Sequence, residues 1–252
     1  MSRFEDKVVI VTGAGSGIGE ATAKRFSQEG AIVVLAGRDT HKLNRVASEL
    51  SSNKALVIQT DVADRGSAPN MIEKTIEHFG QLDILVNNAG LYGSGDLLSL
   101  STEEGNAILA TNLNGVLNCS YFALPYLLES KGCIVNNASV SGLGADWRMV
   151  HYCAAKGAVV NVTRAMALDY GSKDIRVNAV CPSLVMTPMV ESLDDETLKL
   201  FDDRIPLKRA GKPAEVAAAI AFLASEDAGF INGVNLSVDG GVTASNGQPN
   251  FS

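Results

Sequence analysis

Lys7-Val8-Val9-Ile10-Val11-Thr12-Gly13-Ala14-Gly15-Ser16-Gly17-Ile18-Gly19-Glu20 is the stretch that decides the fold. Its first half is an unbroken β-branched run, the pattern of a strand buried on both faces. Its second half is a glycine-rich turn that opens onto Glu20 and Lys24, a pair at helical spacing. Glycine lets a backbone turn sharply and approach a pyrophosphate with no Cβ in the way. The helix behind the turn offers unpaired N–H groups and partial positive charge to the same anion. Strand, turn and helix together point to a dinucleotide phosphate site at Gly13, Ser16, Gly17, Ile18 and Gly19.

Outward from that turn, short apolar runs recur at Ile32–Ala36, Ala55–Gln59, Leu82–Val86, Cys133–Asn136, Arg176–Val180 and Val234–Val238. Helix-length segments separate them. Repeated strand and helix with right-handed crossovers predicts an α/β fold, a Rossmann-like doubly wound parallel sheet with helices on both faces. No linker or composition break divides the chain, so residues 1–252 read as a single catalytic domain with a polar tail at 244–252.

Composition narrows the function. Of 252 residues, 46% are apolar and 19% charged, which suits a large core rather than disorder. The net charge of −7, with no basic run, speaks against nucleic acid or an anionic membrane as partner. Cys119, Cys133, Cys153 and Cys181 form no CxxC pair and lack a histidine at zinc spacing, so they read as buried reduced thiols, with no metal site. The polar start Met1–Asp6 is no secretory signal, and the apolar stretch Ala31–Ala36 is far too short to span a bilayer. A cytoplasmic location is expected.

The second strand ends in Ala36-Gly37-Arg38-Asp39. Dinucleotide folds place an acid at the end of this strand, on the adenosine ribose. Here that position is Gly37, followed by Arg38, whose guanidinium suits a 2′-phosphate. NADP is therefore favoured over NAD, with Asp39 the residue that would reverse the preference by taking the ribose.

Tyr152 and Lys156 lie four apart, on one face of a helix. An unperturbed phenol, with pKa about 10, is a poor acid–base at neutral pH. A neighbouring ammonium stabilises phenolate, and a shift of two or three units takes roughly 3–4 kcal/mol. Ser139 ends a strand thirteen positions earlier, and Asn87-Asn88-Ala89-Gly90 and Thr111-Asn112 precede it.

With these motifs the chain resembles the short-chain dehydrogenase/reductase family over nearly all of residues 5 to 243. The resemblance implies a hydride transfer between a nicotinamide cofactor and a ketone or secondary alcohol. Tyr152 would protonate the carbonyl oxygen or deprotonate the alcohol, and Ser139 would hydrogen-bond that oxygen. Lys156 would lower the Tyr152 pKa and bind the nicotinamide ribose. Asn112 would hold a water linking Lys156 to solvent. Asp61 and Val62 would receive the adenine, and Asn88, Ala89 and Gly90 would pass beneath its ribose. Pro182, Val185 and Thr187 would meet the nicotinamide end, where the usual Pro-Gly is here Pro182-Ser183. The family also implies a homotetramer, with long helices around 102–129 and 152–170 packing across subunits.

Residues 188 to about 210 should form a flap. Between Glu191 and Arg204 it carries six acids against two bases, which should repel acyl carrier protein. Stretches such as Ala138–Trp147 and Tyr152–Asn161 resemble bacterial butanediol dehydrogenases, also called acetoin reductases, a branch that commonly uses NAD. A small ketol, diketone or compact ketone is the expected substrate, in a pocket walled by Leu91, Tyr92, Leu143, Trp147, His151, Leu184 and Met186. The alternatives are an NAD-dependent butanediol dehydrogenase, a β-ketoacyl reductase and, last, a non-catalytic dinucleotide sensor.

Overall fold

The β-branched runs pair as parallel strands in the computed structural model, which describes residues 2–50, 55–191 and 193–247. Among the described residues one sheet contains β1 (Val8–Thr12), β2 (Ile32–Gly37), β3 (Ala55–Gln59), β4 (Ile84–Asn87), β5 (Cys133–Asn137), β6 (Arg176–Pro182) and β7 (Asn235–Val238). Their order is β3-β2-β1-β4-β5-β6-β7. Val9 at the centre lies opposite Val33 on one side and Ile84 on the other. The fourth strand starts later than the run Leu82–Val86 predicts. Asp83 is the cause: its buried carboxylate turns back to accept the Val8 N–H at 2.9 Å and the Lys7 ammonium at 3.0 Å.

The helices are α1 (Gly17–Gln28), α2 (Thr40–Ser48), α3 (Ser67–Phe79), α4 (Thr102–Leu109), α5 (Gly115–Ser130), α6 (Val140–Leu143), α7 (Val150–Tyr170), α8 (Asp195–Arg204) and α9 (Pro213–Ala224). Alternate strand residues feed opposite faces. Val9, Val11, Val33 and Leu35 pack with Phe26 of α1, Leu43 of α2 and Ile220 of α9. Val8, Ile10 and Val34 pack with Met71 and Ile72 of α3 and Leu127 of α5. Strand order reverses direction between β1 and β4, and a ligand crevice opens at the carboxyl ends of strands where that happens.

The helix expected over 102–129 is interrupted. A π turn, Ala110–Asn114, joins α4 to α5 and carries the buried Asn112. Such bulges occur often at functional sites. Beneath the crevice, asparagines replace the apolar residues of the strands. Asn87 donates to Ser120 at 3.1 Å and to Asn136 at 2.9 Å, and Asn136 donates to Thr163 at 2.9 Å. This buried row fastens β4 and β5 to α5 and α7. Asn136→Ala leaves one Asn87 amide proton unmet and removes the donor to Thr163, and should cost about 2–4 kcal/mol. Urea unfolding should show a lowered midpoint with an unchanged slope.

Candidate active site

Gly13 and Gly17 have φ of +67° and +55°, the left-handed region that glycine alone enters freely. The turn they make is pressed against the end of β4: a Cβ on Gly13 would come within 2.9 Å of Ala89 Cα. One on Gly19 would lie 2.2 Å from the Gly13 carbonyl oxygen. Ser16 caps α1 in extended conformation with its side chain uncommitted, so the first N–H groups of the helix face the crevice.

A cleft of about 830 Å³ runs from this turn, past Asn88–Gly90, to Ser139, Tyr152 and Lys156. Pro182, Val185 and Thr187 form its next wall, and Pro188–Val190 with Leu200–Ile205 roof it. Asn137 Oδ1 is buried on the wall with no partner among the described residues. A bare glycine cradle, exposed helix N–H groups and an unmet acceptor suit an elongated phosphate-bearing ligand.

Tyr152 and Lys156 share a face of α7 one turn apart, and Ser139 ends β5 and caps α6. Ser139 stands beside the Tyr152 phenol and works to lower its pKa. Lys156 Nζ donates to the Asn137 carbonyl at 2.6 Å and lies 5.7 Å from the Tyr152 ring centroid. Burial lowers this ammonium to about 8. Burial also pushes the Tyr152 phenol up to about 12, against the influence of Ser139, with Asp146 adding to the rise. In the chain by itself desolvation thus outweighs the depression expected from Lys156.

Asn112 is 1% exposed, with its side chain fully engaged. Its Oδ1 accepts the Leu91 N–H at 2.7 Å, and its Nδ2 donates to the Leu91 carbonyl at 2.8 Å. It stands behind Gly90, where a Cβ would meet Asn112 Oδ1 at 3.2 Å. Arg38, Asp39 and Asp61 lie on the open surface beyond the cleft, and Val62 is buried beneath them. Asp39 is committed to the start of α2, accepting the His41 and Lys42 N–H groups at 3.0 and 3.1 Å.

Of the expected pocket walls, Leu91, Trp147 and Leu184 line the cleft, whereas Tyr92, Leu143, His151 and Met186 do not. Tyr92 is stacked edge-on to Tyr152 at 6.1 Å. His151 precedes Tyr152 by about 100° of helical turn and so points away, against α4. A Cβ on Gly105 would come within 2.5 Å of its Nε2. Ser183 does line the cleft, but its hydroxyl is turned to the Asp239 carbonyl at 3.1 Å. Sequence reasoning missed Asn137, Asp146, Phe201, Arg204, Val242 and Thr243, all on the wall. The acids of the flap have a local explanation: Asp194 caps α8 by accepting the Thr197 N–H at 2.8 Å, and Asp195 and Glu196 occupy its first turn. Residue 192 of the flap and residues 248–252 of the expected tail lie outside the described residues. Cys119, Cys133 and Cys181 are buried as expected, but Cys153 is half-buried. Among the described residues, no helix is long and apolar enough to cross a membrane.

The chain is similar to known proteins over nearly its whole length. A family model described as enoyl-(acyl carrier protein) reductase matches residues 13–243. Meso-2,3-butanediol dehydrogenase of Serratia marcescens is 53% identical over 247 residues, 98% of each chain. Levodione reductase superposes with a TM-score of 0.93 at 36% identity, over 96% of this chain and 100% of its own. A 3-ketoacyl-(acyl-carrier-protein) reductase from Brucella melitensis complexed with NADH gives 0.90 at 37% identity, over 95% and 99%.

The depressed Lys156 makes stability depend on pH. Below about 8 the fold holds a charged lysine that burial disfavours; toward the ordinary 10.5 that penalty is relieved. The stability of the protein relative to Lys156→Met should therefore rise by roughly 3 kcal/mol between pH 7 and pH 10.5, as read by urea unfolding across that range.

Proposed function

Because the chain belongs to the short-chain dehydrogenase/reductase family, we propose that Tyr152, Ser139, Lys156 and Asn112 form its catalytic group. The protein is an NAD(P)-dependent oxidoreductase acting on CH–OH or C=O groups. When bound, the nicotinamide supplies or accepts the hydride. The observation that carries the residue assignment is the meeting of Ser139, Tyr152 and the buried Lys156 ammonium at one end of the glycine-lined cleft, with Lys156 one helical turn from Tyr152.

In reduction, charge gathers on the carbonyl oxygen as its carbon gains the hydride, and that oxygen needs a donor and a proton. Tyr152 is protonated at neutral pH and gives its proton to that oxygen, while Ser139 holds the oxygen by a hydrogen bond. In the reverse direction Tyr152 takes the alcohol proton, and the Lys156 cation stabilises the phenolate. Lys156 also holds the nicotinamide ribose. Asn112, whose side chain pairs with the Leu91 main chain, would hold the relay water. Gly13 to Gly19 and the start of α1 would hold the pyrophosphate, Asn88–Gly90 the adenosine ribose, and Asp61 and Val62 the adenine. Pro182, Val185 and Thr187 would hold the nicotinamide end.

NADPH is the preferred cofactor in this reading. Gly37 brings no carboxylate, Asp39 is committed to α2, and Arg38 is exposed with no ion-pair partner among the described residues. The substrate is a small ketol, diketone or compact ketone, supported by the apolar side chains of Leu91, Leu184 and Phe201 on the cleft and by the Serratia relative. That relative also supports a second reading, the same chemistry on butanediol. The assembly is a homotetramer through α5 and α7, whose Tyr121 and Leu168 are 65% and 83% exposed.

Initial rates with NADPH and NADH, each against diacetyl, acetoin and a bulky aryl ketone, test the substrate and cofactor together. NADPH preference with ketol turnover is expected, and NADH preference overturns the role of Arg38. Arg38→Ala should weaken NADPH about 10- to 100-fold and NADH little, the range of one charged hydrogen bond. Gly37→Asp should shift preference to NADH without harm to the fold, since its Cβ would sit 3.5 Å from Leu43, an ordinary contact. Tyr152→Phe should abolish turnover while leaving cofactor binding, read by fluorescence titration with NADPH; retained turnover refutes the assignment.

A further inference from the structure

Ser139 is one end of a hydrogen-bonded row that leads out of the cleft. Its Oγ lies 3.1 Å from Ser141 Oγ, and Ser141 in turn donates to the Asp146 carboxylate. Ser139 and Ser141 are buried, whereas Asp146 is at the surface in the loop between α6 and α7. That loop is tied to α7 beside the phenol, because the Asp146 N–H donates to Cys153 Sγ at 3.3 Å.

Counting protons along the row fixes its direction. Each hydroxyl has one proton to donate, and an ionised carboxylate has none. Ser141 therefore spends its proton on Asp146 and turns only lone pairs toward Ser139. The Ser139 proton then goes to Ser141, and Ser139 Oγ also accepts the Ser141 N–H at 3.1 Å. The competing acceptor, the Pro182 carbonyl at 3.5 Å, is too far to hold that proton well. Toward the cleft, Ser139 thus presents its remaining lone pair, an acceptor.

We propose that Asp146, acting through Ser141, is a positioning residue that orients the Ser139 hydrogen bond and so biases the site toward the alcohol over the carbonyl form of its substrate. The inference rests on the reading that Ser139 and Tyr152 meet the reacting oxygen. As it seats, an alcohol can donate its single proton to the Ser139 lone pair, and that proton turns to Tyr152 for the transfer. A carbonyl oxygen has no proton to give, so Ser139 must first swing its proton away from Ser141 and leave a buried lone pair unmet. The row thus works against ketone binding and in favour of alcohol binding.

Asp146→Ala frees the Ser141 proton, which then points to Ser139 and lets Ser139 donate into the cleft. Steady-state kinetics in both directions, with acetoin and 2,3-butanediol as the first ketone–alcohol pair, read the effect. The KM for the ketone should fall about three- to tenfold and that for the alcohol should rise by a similar factor, the worth of one neutral hydrogen bond. The reaction equilibrium fixes the ratio of the two specificity constants while cofactor affinity is unchanged, so kcat must move in compensation within each direction. Ser141→Ala should act the same way, and the double variant should add nothing further. Equal movement of both KM values, no movement, or additive single effects overturn the inference, since a loop that merely lost its footing would harm both directions alike. Tyr152→Phe separates the two levels. If it keeps turnover, the reading of the site fails. If it is inactive and Asp146→Ala shows no opposed KM shift, only the Asp146 role fails.

Discussion

The side chain of Asn88 is the tie on which the site depends. Its amide donates to the Thr12 carbonyl at 2.9 Å, and the Thr12 hydroxyl receives the Asn88 and Ala89 N–H groups at 2.9 and 3.0 Å. Its Oδ1 accepts from Asn137 at 3.0 Å, whose carbonyl holds Lys156. Three strands end side by side with main-chain groups that no further pairing satisfies, and short polar side chains meet that need. The glycine turn after β1 and the ammonium on α7 are thereby registered through rigid sheet ends rather than through loops.

Charge in such a place is costly, and the fold accommodates it unevenly. Burial makes Lys156 easier to deprotonate and Tyr152 harder to ionise, two shifts that both oppose the ion pair that catalysis would use. The protein alone therefore holds a neutral phenol, ready to donate. Removing a proton from it requires a compensating positive charge, and a site that gains one on binding its oxidised partner couples proton transfer to occupancy.

The sheet and the glycine turn were legible because their signals are local: contiguous β-branched residues, and glycines where a Cβ would strike Ala89 or the neighbouring turn. Tyr152 and Lys156 were legible by helical spacing. What escaped depends on partners distant in sequence or on rotation about an axis. Asn137 matters for a carbonyl that Lys156 reaches, and Asp146 for a serine that itself touches Ser139. His151 packs against Gly105 of α4, a contact that depends on a partner distant in sequence. The π turn at Asn112 left no mark in composition. The fourth strand was set too early because Leu82 and Asp83 look like strand residues, yet Asp83 serves the start of β1.

The roof of the cleft is built on different terms from its floor. α8 contains no buried side chain, whereas the strand ends beneath it are almost wholly enclosed. Few apolar contacts hold such an element, so it opens locally at little free-energy cost while the sheet stays folded. Floor and roof of the cleft are thus parts with separate stabilities. Divergent evolution can redraw the roof, residue by residue, without endangering the fold or relearning the chemistry underneath.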